Sequence, residues 1–237
     1  MTPDQTSASG QLACLKYLLA QIHHFDVLPP EIQEKLGAVA TQRHFEAGQV
    51  IYVEGEPAES IFLIESGWVK ATRMSRQGRE QALMFLHSNE IFGDIAIFTG
   101  SPYPGTVTAL EAVDAWVISA EDILNLTRRY PDLAMAVTRR MGERVLHFVE
   151  LVEELGLCSV EARVARTLLR NAELKDGRFI TPRQTWTTFD EMAVRLGTVR
   201  DVLSRALRTL ENEGLLKVER QEIVLLNPEG LAERGDS

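Results

Sequence analysis

Between Arg43 and Ser119 the chain is broken again and again by turn residues, and this punctuation limits the fold more than any other feature. Short β-prone runs (VIYV, SIFLIE, WVKATRM, EQALMFL, TVTAL, AWVIS) alternate with Gly48, Gly55-Glu56-Pro57, Gly67, Gln77-Gly78, Asn89 and the stretch from Pro102 to Gly105. Short strands closed by frequent turns predict a β-sandwich or barrel. Upstream, LKYLLAQI and EIQEKLGAVA read as short helices, and residues 1–10 as an unstructured head. Downstream of Pro131 the apolar period changes to that of a helix. Thr138, Val145 and Val152 form one heptad series and Met141, Phe148 and Leu155 the other. That 4-3-4-3 spacing predicts a coiled-coil seam between two copies of the chain, with a helix packed on its own β-domain as the competing arrangement.

A second helical pattern lies near the C-terminus. In TFDEMAVRLGT, Thr188 is placed to cap a helix with Glu191 at the third position, and Met192, Ala193 and Leu196 line one face. Gly197 supplies the tight turn, because glycine tolerates positive φ. In TVRDVLSRALRTL, Thr198 is the expected cap with Asp201 three residues on. Val199, Leu203, Ala206, Leu207 and Leu210 make an apolar stripe. Arg200, Asp201, Ser204, Arg205 and Arg208 share the opposite face, and Gly214 ends the helix. Two short helices around a glycine turn, the second exposing arginines, describe a helix-turn-helix. LLKVERQEIVLL after it reads as a hairpin wing.

Charge agrees with this division. The chain has a formal net charge of −9, and residues 1–157 carry 12 Lys+Arg against 21 Asp+Glu, whereas residues 158–237 carry 13 of each. Within 195–208 there are four arginines and one aspartate. Because phosphate attraction is local at physiological ionic strength, the overall acidity does not oppose binding to double-stranded DNA. No apolar run approaches the ~20 residues that span a bilayer, and MTPDQTSASGQ has neither a basic nor an apolar leader region. Cys14 and Cys158, the only cysteines, lack a ligand-like spacing, which suits a reducing cytoplasm.

In this order, the glycine-studded EGEPAESIFLIESGWVKATRMSRQGREQALMFLHSNEIFGDIAIFTG, the long helix, RVARTLLRNA, a hairpin and LGTVRDVLSRAL resemble the CRP/FNR superfamily of bacterial transcription regulators, from about residue 15 to 226. The resemblance implies an α+β chain in three parts. Residues 1–120 would form an N-terminal cyclic-nucleotide-binding-like β-roll with its leading helices, 121–157 a linker and long dimerisation helix, and 158–237 a C-terminal winged helix-turn-helix. It also implies a homodimer that recruits or blocks RNA polymerase. Arg200, Asp201 and Arg205 occupy the positions that offer Arg, Glu and Arg to base edges in the catabolite-activator branch, and Thr188 that of a phosphate-contacting threonine. Arginine meets guanine O6 and N7 bidentately, and a carboxylate accepts from the cytosine amino group. Ser204 is placed for phosphate or a base edge, Arg208 for phosphate.

At the sensor end the resemblance implies an effector pocket at Gly93, Asp94, Tyr103, Pro104, Val145, Phe148 and Val149. Members that bind cyclic AMP carry an Arg-Ser pair for the cyclic phosphate, where this chain has Tyr103-Pro104, and a Thr-Ser pair for adenine, where it has Phe148-Val149. An anionic phosphate without its arginine is poorly compensated. The expectation is therefore an effector other than cyclic AMP, or none, unless Arg73 or Arg79 supplies the missing cation. A cysteine cluster for iron–sulfur is missing. His23-His24, His44, His87 and His147 are the candidate ligands for haem; no cofactor and no metal site are expected. A haem- or small-ligand-sensing module that signals by protein contact is the alternative reading. A cupin-type metalloenzyme needs a His-x-His that this sequence lacks, and no phosphate loop occurs, so no enzyme is expected.

Overall fold

The computed structural model describes residues 3–78, 80–184 and 187–235. They form two compact units, the first holding the chain up to Arg73 together with Leu83–Leu146, the second Met74–Ala82 and everything from His147 onward. Helices α1 (Pro3–Leu19) and α2 (Pro30–Val39) lead into the short strands β1 (Thr41–Phe45), β2 (Val50–Tyr52), β3 (Ser60–Ser66), β4 (Trp68–Met74), β5 (Glu80–His87) and β6 (Ile91–Phe92). Helix α3 (Asp94–Thr99), strands β7 (Thr106–Ala109) and β8 (Val113–Ser119), and helices α4 (Ala120–Arg129) and α5 (Pro131–Leu157) follow. The head is not unstructured from Pro3 onward. Proline at the first helical position has φ preset and no N–H to leave unpaired, and Leu15, Leu18 and Leu19 anchor the far end of α1 in the core. Met1 and Thr2 lie outside the described residues, as does Arg79.

Two antiparallel sheets build the roll, one in the order β1-β8-β3-β6 and the other β2-β7-β4-β5. In the first sheet β8 and β3 are nearly continuous apolar runs because both of their faces are covered. Phe62, Ile64, Val113, Ala115 and Val117 join Phe45, Val69, Leu86 and Phe92 in the core of the roll. The alternate residues Ile61, Leu63, Trp116 and Ile118 face a helical cluster with Leu15, Leu19, Ile22, Leu36, Ile123 and Leu133. The register fixes this, with Leu63 opposite Trp116 and Ile64 opposite Ala115. A one-residue slip would exchange the two faces.

The buried stripe of α5 runs Leu133, Ala136, Val137, Arg140 and Arg144. Met141 lies one turn beyond Val137 and shares this inward side, packing on the helical cluster. The row left exposed is therefore Thr138, Gly142, Val145, Val149, Val152 and Gly156, with Val152 at 72% exposure. The first expected heptad series stands on it. Of the second, Met141 is taken by the inner face, Phe148 is half-buried and Leu155 is exposed.

In the second unit α6 (Val160–Arg170), capped by the Ser159 hydroxyl, leads through β9 (Glu173–Lys175) and β10 (Arg178–Pro182) to α7 (Phe189–Arg195) and α8 (Arg200–Asn212). Strands β11 (Leu216–Val218) and β12 (Glu222–Leu225) and helix α9 (Pro228–Gly235) complete it. The strands form one antiparallel sheet in the order β11-β12-β10-β9. Leu168, Ala193, Leu196, Leu203, Ala206, Leu207, Leu210 and Leu216 make its core.

Candidate DNA interface and sensor pocket

The turn between α7 and α8 is built as the glycine suggests. Gly197 has φ +64°, and a Cβ there would also run into the Leu155 side chain. The N–H groups of Gly197 and Thr198 close α7 onto Val194 O and Ala193 O at 3.2 and 2.9 Å. Thr198 is thus the end of the turn and not the cap of α8. The cap is Val199, which makes no side-chain bond and is 53% exposed, so neither the expected Thr198 cap nor a buried Val199 is found. At the other helix Thr188 Oγ1 accepts from the Glu191 N–H at 3.1 Å, as a threonine cap should.

Leu203, Ala206, Leu207 and Leu210 hold α8 against the core, so Arg200, Asp201, Arg205 and Arg208 are exposed and Ser204 is half-buried. Arg200 Nη1 reaches Asp190 Oδ2 at 3.1 Å across open surface, a pair worth little in water and readily exchanged for another anion. An open groove of about 800 Å³ brings Thr188 and Arg200 together with Arg183, Lys175 and Arg220. Asp201, Ser204, Arg205, Arg208 and Thr198 lie outside its lining. Arg183 and Arg220 were not singled out in the sequence. Arg183 stacks its guanidinium 5.0 Å from the Phe189 ring and donates to Thr187 O at 2.9 Å. The only sequence signal for either was a cation in a turn flanking a strand of the wing sheet.

In the first unit the carboxylate of Asp94 is buried and bonded to Arg140 Nε at 3.2 Å. Arg140 Nη2 donates to Ile91 O at 2.8 Å, and Arg144 donates to the same carbonyl and to Met84 Sδ. Two buried guanidiniums therefore face one buried carboxylate. Burial pushes the Arg144 pKa below its ordinary value, with Asp94 opposing and Arg140 adding to the shift. Gly93 has φ +82°, and a Cβ there would come within 2.7 Å of Ser60 O, so this approach needs glycine. Tyr103 is buried, its ring stacked on Tyr52 at 3.6 Å between centroids. Its hydroxyl donates to Ser60 O at 2.9 Å and accepts from the N–H groups of Ser60 and Glu59 at 3.2 and 3.3 Å. Burial raises the pKa of both tyrosines. Pro104 is exposed, and Val145 and Val149 stand on the exposed row of α5. Arg73 is exposed and paired with Glu54 at 2.7 Å. Cys14 donates its thiol to Glu65 Oε1 at 2.7 Å, a bond that raises its pKa and disfavours the thiolate.

The second unit is a winged helix-turn-helix, an architecture of DNA-binding domains, and the first is a β-roll ending in a long helix. Two family models match, a cyclic nucleotide-binding domain over residues 42–130 and a Crp-like helix-turn-helix domain over 162–234. The chain is similar to the CRP-like cAMP-activated global transcriptional regulator of Mycobacterium tuberculosis, 24% identical over 92% of this chain and 98% of that one. It is 29% identical to the cyclic AMP receptor protein of Thermus thermophilus, over 85% and 94% of the two chains. Among solved structures, the c-di-GMP responsive global regulator CLP of Xanthomonas campestris matches with a TM-score of 0.72 at 20% identity, over 83% of this chain and 99% of that one. The chain belongs to the CRP/FNR superfamily, a family of bacterial transcription regulators rather than enzymes. Among the described residues no helix is long and apolar enough to cross a membrane.

Proposed function

We propose that this protein is a homodimeric, cytoplasmic, sequence-specific transcription regulator without enzymatic activity that reads a pseudo-palindromic site in the major groove. Arg200 and Arg205 read guanines, Asp201 contacts a cytosine or orients Arg205, and Ser204, Arg208, Thr188 and Thr198 serve the phosphates and base edges. Arg183 and Arg220 extend the phosphate contacts toward the wing. The observation that carries this reading is the arginine face of α8, held outward by its buried leucines. Two copies joined along Thr138, Gly142, Val145, Val149 and Val152 present paired recognition helices, with half-sites about 34 Å apart. Contact with RNA polymerase then couples binding to transcription.

The effector is something other than cyclic AMP, or there is none, and no cofactor is required. Supporting this, Tyr103 stands where the phosphate-binding arginine would be and its hydroxyl is committed to the Ser60 backbone. Asp94 is committed to Arg140. The DNA reading is tested by selecting the preferred site from random duplexes and measuring mobility shifts. Arg205→Ala should cost about 1–3 kcal/mol on the selected site and relax the preference at one guanine per half-site. Equal loss on selected and random DNA would make Arg205 a phosphate contact and refute the assignment.

A further inference from the structure

The link between α1 and α2 carries two adjacent histidines. His24 has a left-handed backbone, φ +70°, which residues with a β-carbon rarely adopt. That reversal sets the two imidazoles in a near-parallel stack, 3.9 Å between centroids with planes 20° apart. His23 presents Nδ1 and His24 presents Nε2, and both meet the same atom, Glu143 Oε1 on α5, at 3.1 and 2.9 Å. The two adjacent histidines thus converge on one point through different ring nitrogens. The three ligand atoms all lie within 4.8 Å of one another. In a tetrahedral shell with bonds near 2.0–2.1 Å, ligand atoms stand ~3.3 Å apart, and the Glu143 oxygen already stands near that distance from both ring nitrogens.

We propose that His23, His24 and Glu143 bind a divalent first-row transition ion, for which two imidazoles and a carboxylate suit Zn²⁺. Three protein ligands leave a coordination position open to water or another small donor. His23 and Glu143 are exposed, which gives the ion a path in, while His24 is mostly covered. The ion ties the α1–α2 link to α5 between Gly142 of its exposed row and the buried Arg144.

The test uses the full-length chain without an affinity tag, stripped by chelator, dialysed and titrated with zinc chloride in a calorimeter. Cobalt chloride titration followed by visible ligand-field absorption gives the independent readout. One zinc per chain at micromolar or lower concentration is expected, with cobalt bands of an imidazole–carboxylate site. Glu143→Gln, His23→Gln and His24→Asn (asparagine tolerates the left-handed backbone) should each weaken zinc binding by at least ~10-fold, the smallest loss typical of removing even an outer-shell partner. His87→Gln should leave binding unchanged. No zinc uptake by the parent chain, or undiminished affinity in all three ligand variants, would overturn the proposal.

Discussion

Asp94→Asn isolates the carboxylate of the buried Asp94–Arg140–Arg144 cluster. The aspartate is 4% exposed, Arg140 8% and Arg144 7%, so none of the three is screened by bulk water. Asp94 Oδ1 also accepts from the Ile95 N–H at 3.1 Å, a bond the asparagine oxygen can keep. What asparagine loses is the only carboxylate in bonding contact with either guanidinium among the described residues. Removing one partner of a buried pair costs about 3–5 kcal/mol because the other charge stays buried and uncompensated. The lower end, about 3 kcal/mol, applies here, since the neutral oxygen still accepts weakly from Arg140. That is roughly a hundredfold in the folding equilibrium. Urea denaturation monitored by tryptophan fluorescence at neutral pH measures it. The diagnostic comparison is the double variant Asp94→Asn/Arg140→Met, in which the orphaned charge goes too and a good part of the loss should return. A single-variant cost below about 1 kcal/mol, or costs that simply add in the double variant, would refute the view of Asp94 and Arg140 as one buried unit.

Val152→Glu puts like carboxylates on the exposed row of α5 in both copies. Burying them unpaired is costly, so sedimentation should find monomer and operator binding should fail with it; a monodisperse dimer would remove the seam. Cyclic AMP, titrated calorimetrically at micromolar concentration, should give no binding and no change in operator affinity; a micromolar dissociation constant with a rise in DNA affinity would overturn the effector reading. The His44 imidazole, bonded to Asp114 at 2.8 Å, should titrate above its ordinary value because of that bond, while Asp114 titrates below its own. The sign follows: His44 contributes stability present below its unfolded-state pKa and lost as pH rises through the raised value, and Asp114 contributes stability present above its unfolded-state pKa and lost as pH falls through the lowered one. Asp114→Asn should therefore bring the His44 titration down in proton NMR; no change would mean that the contact is absent in solution.

Local chemistry was readable from the sequence wherever a few consecutive residues determine it. Thr188 caps α7 through Glu191, Gly197 takes positive φ, and the leucines of α8 are buried because helix period and turn geometry involve only near neighbours. Val199 fits the apolar stripe by period yet is exposed, because it follows directly on the turn in which Gly197 and Thr198 finish the preceding helix. Met141 packs inward, which a heptad count cannot foresee because it does not show which face of α5 the roll claims. The Asp94–Arg140–Arg144 cluster and the His23–His24–Glu143 cluster were illegible for another reason. Their members stand 46 and 119 residues apart in the chain, and only the folded roll brings them within bonding distance.

The position of β8 has a consequence for how the chain emerges from the ribosome. It is the last strand of the roll to be made, yet it lies between β1 and β3, pairing Val117 with both Thr41 and Phe62. Until Ser119 is free of the exit tunnel, β1 and β3 have no neighbour on that side, and their unpaired backbone edges are templates for another nascent chain. Closure then spans pairs such as Phe62 with Val117 and Thr41 with Val117, far apart in the chain, the kind of contact that forms slowly. The central strand of this sheet is thus also its latch, and a chain stalled or truncated before residue 113 is left with two open edges and a half-covered apolar face.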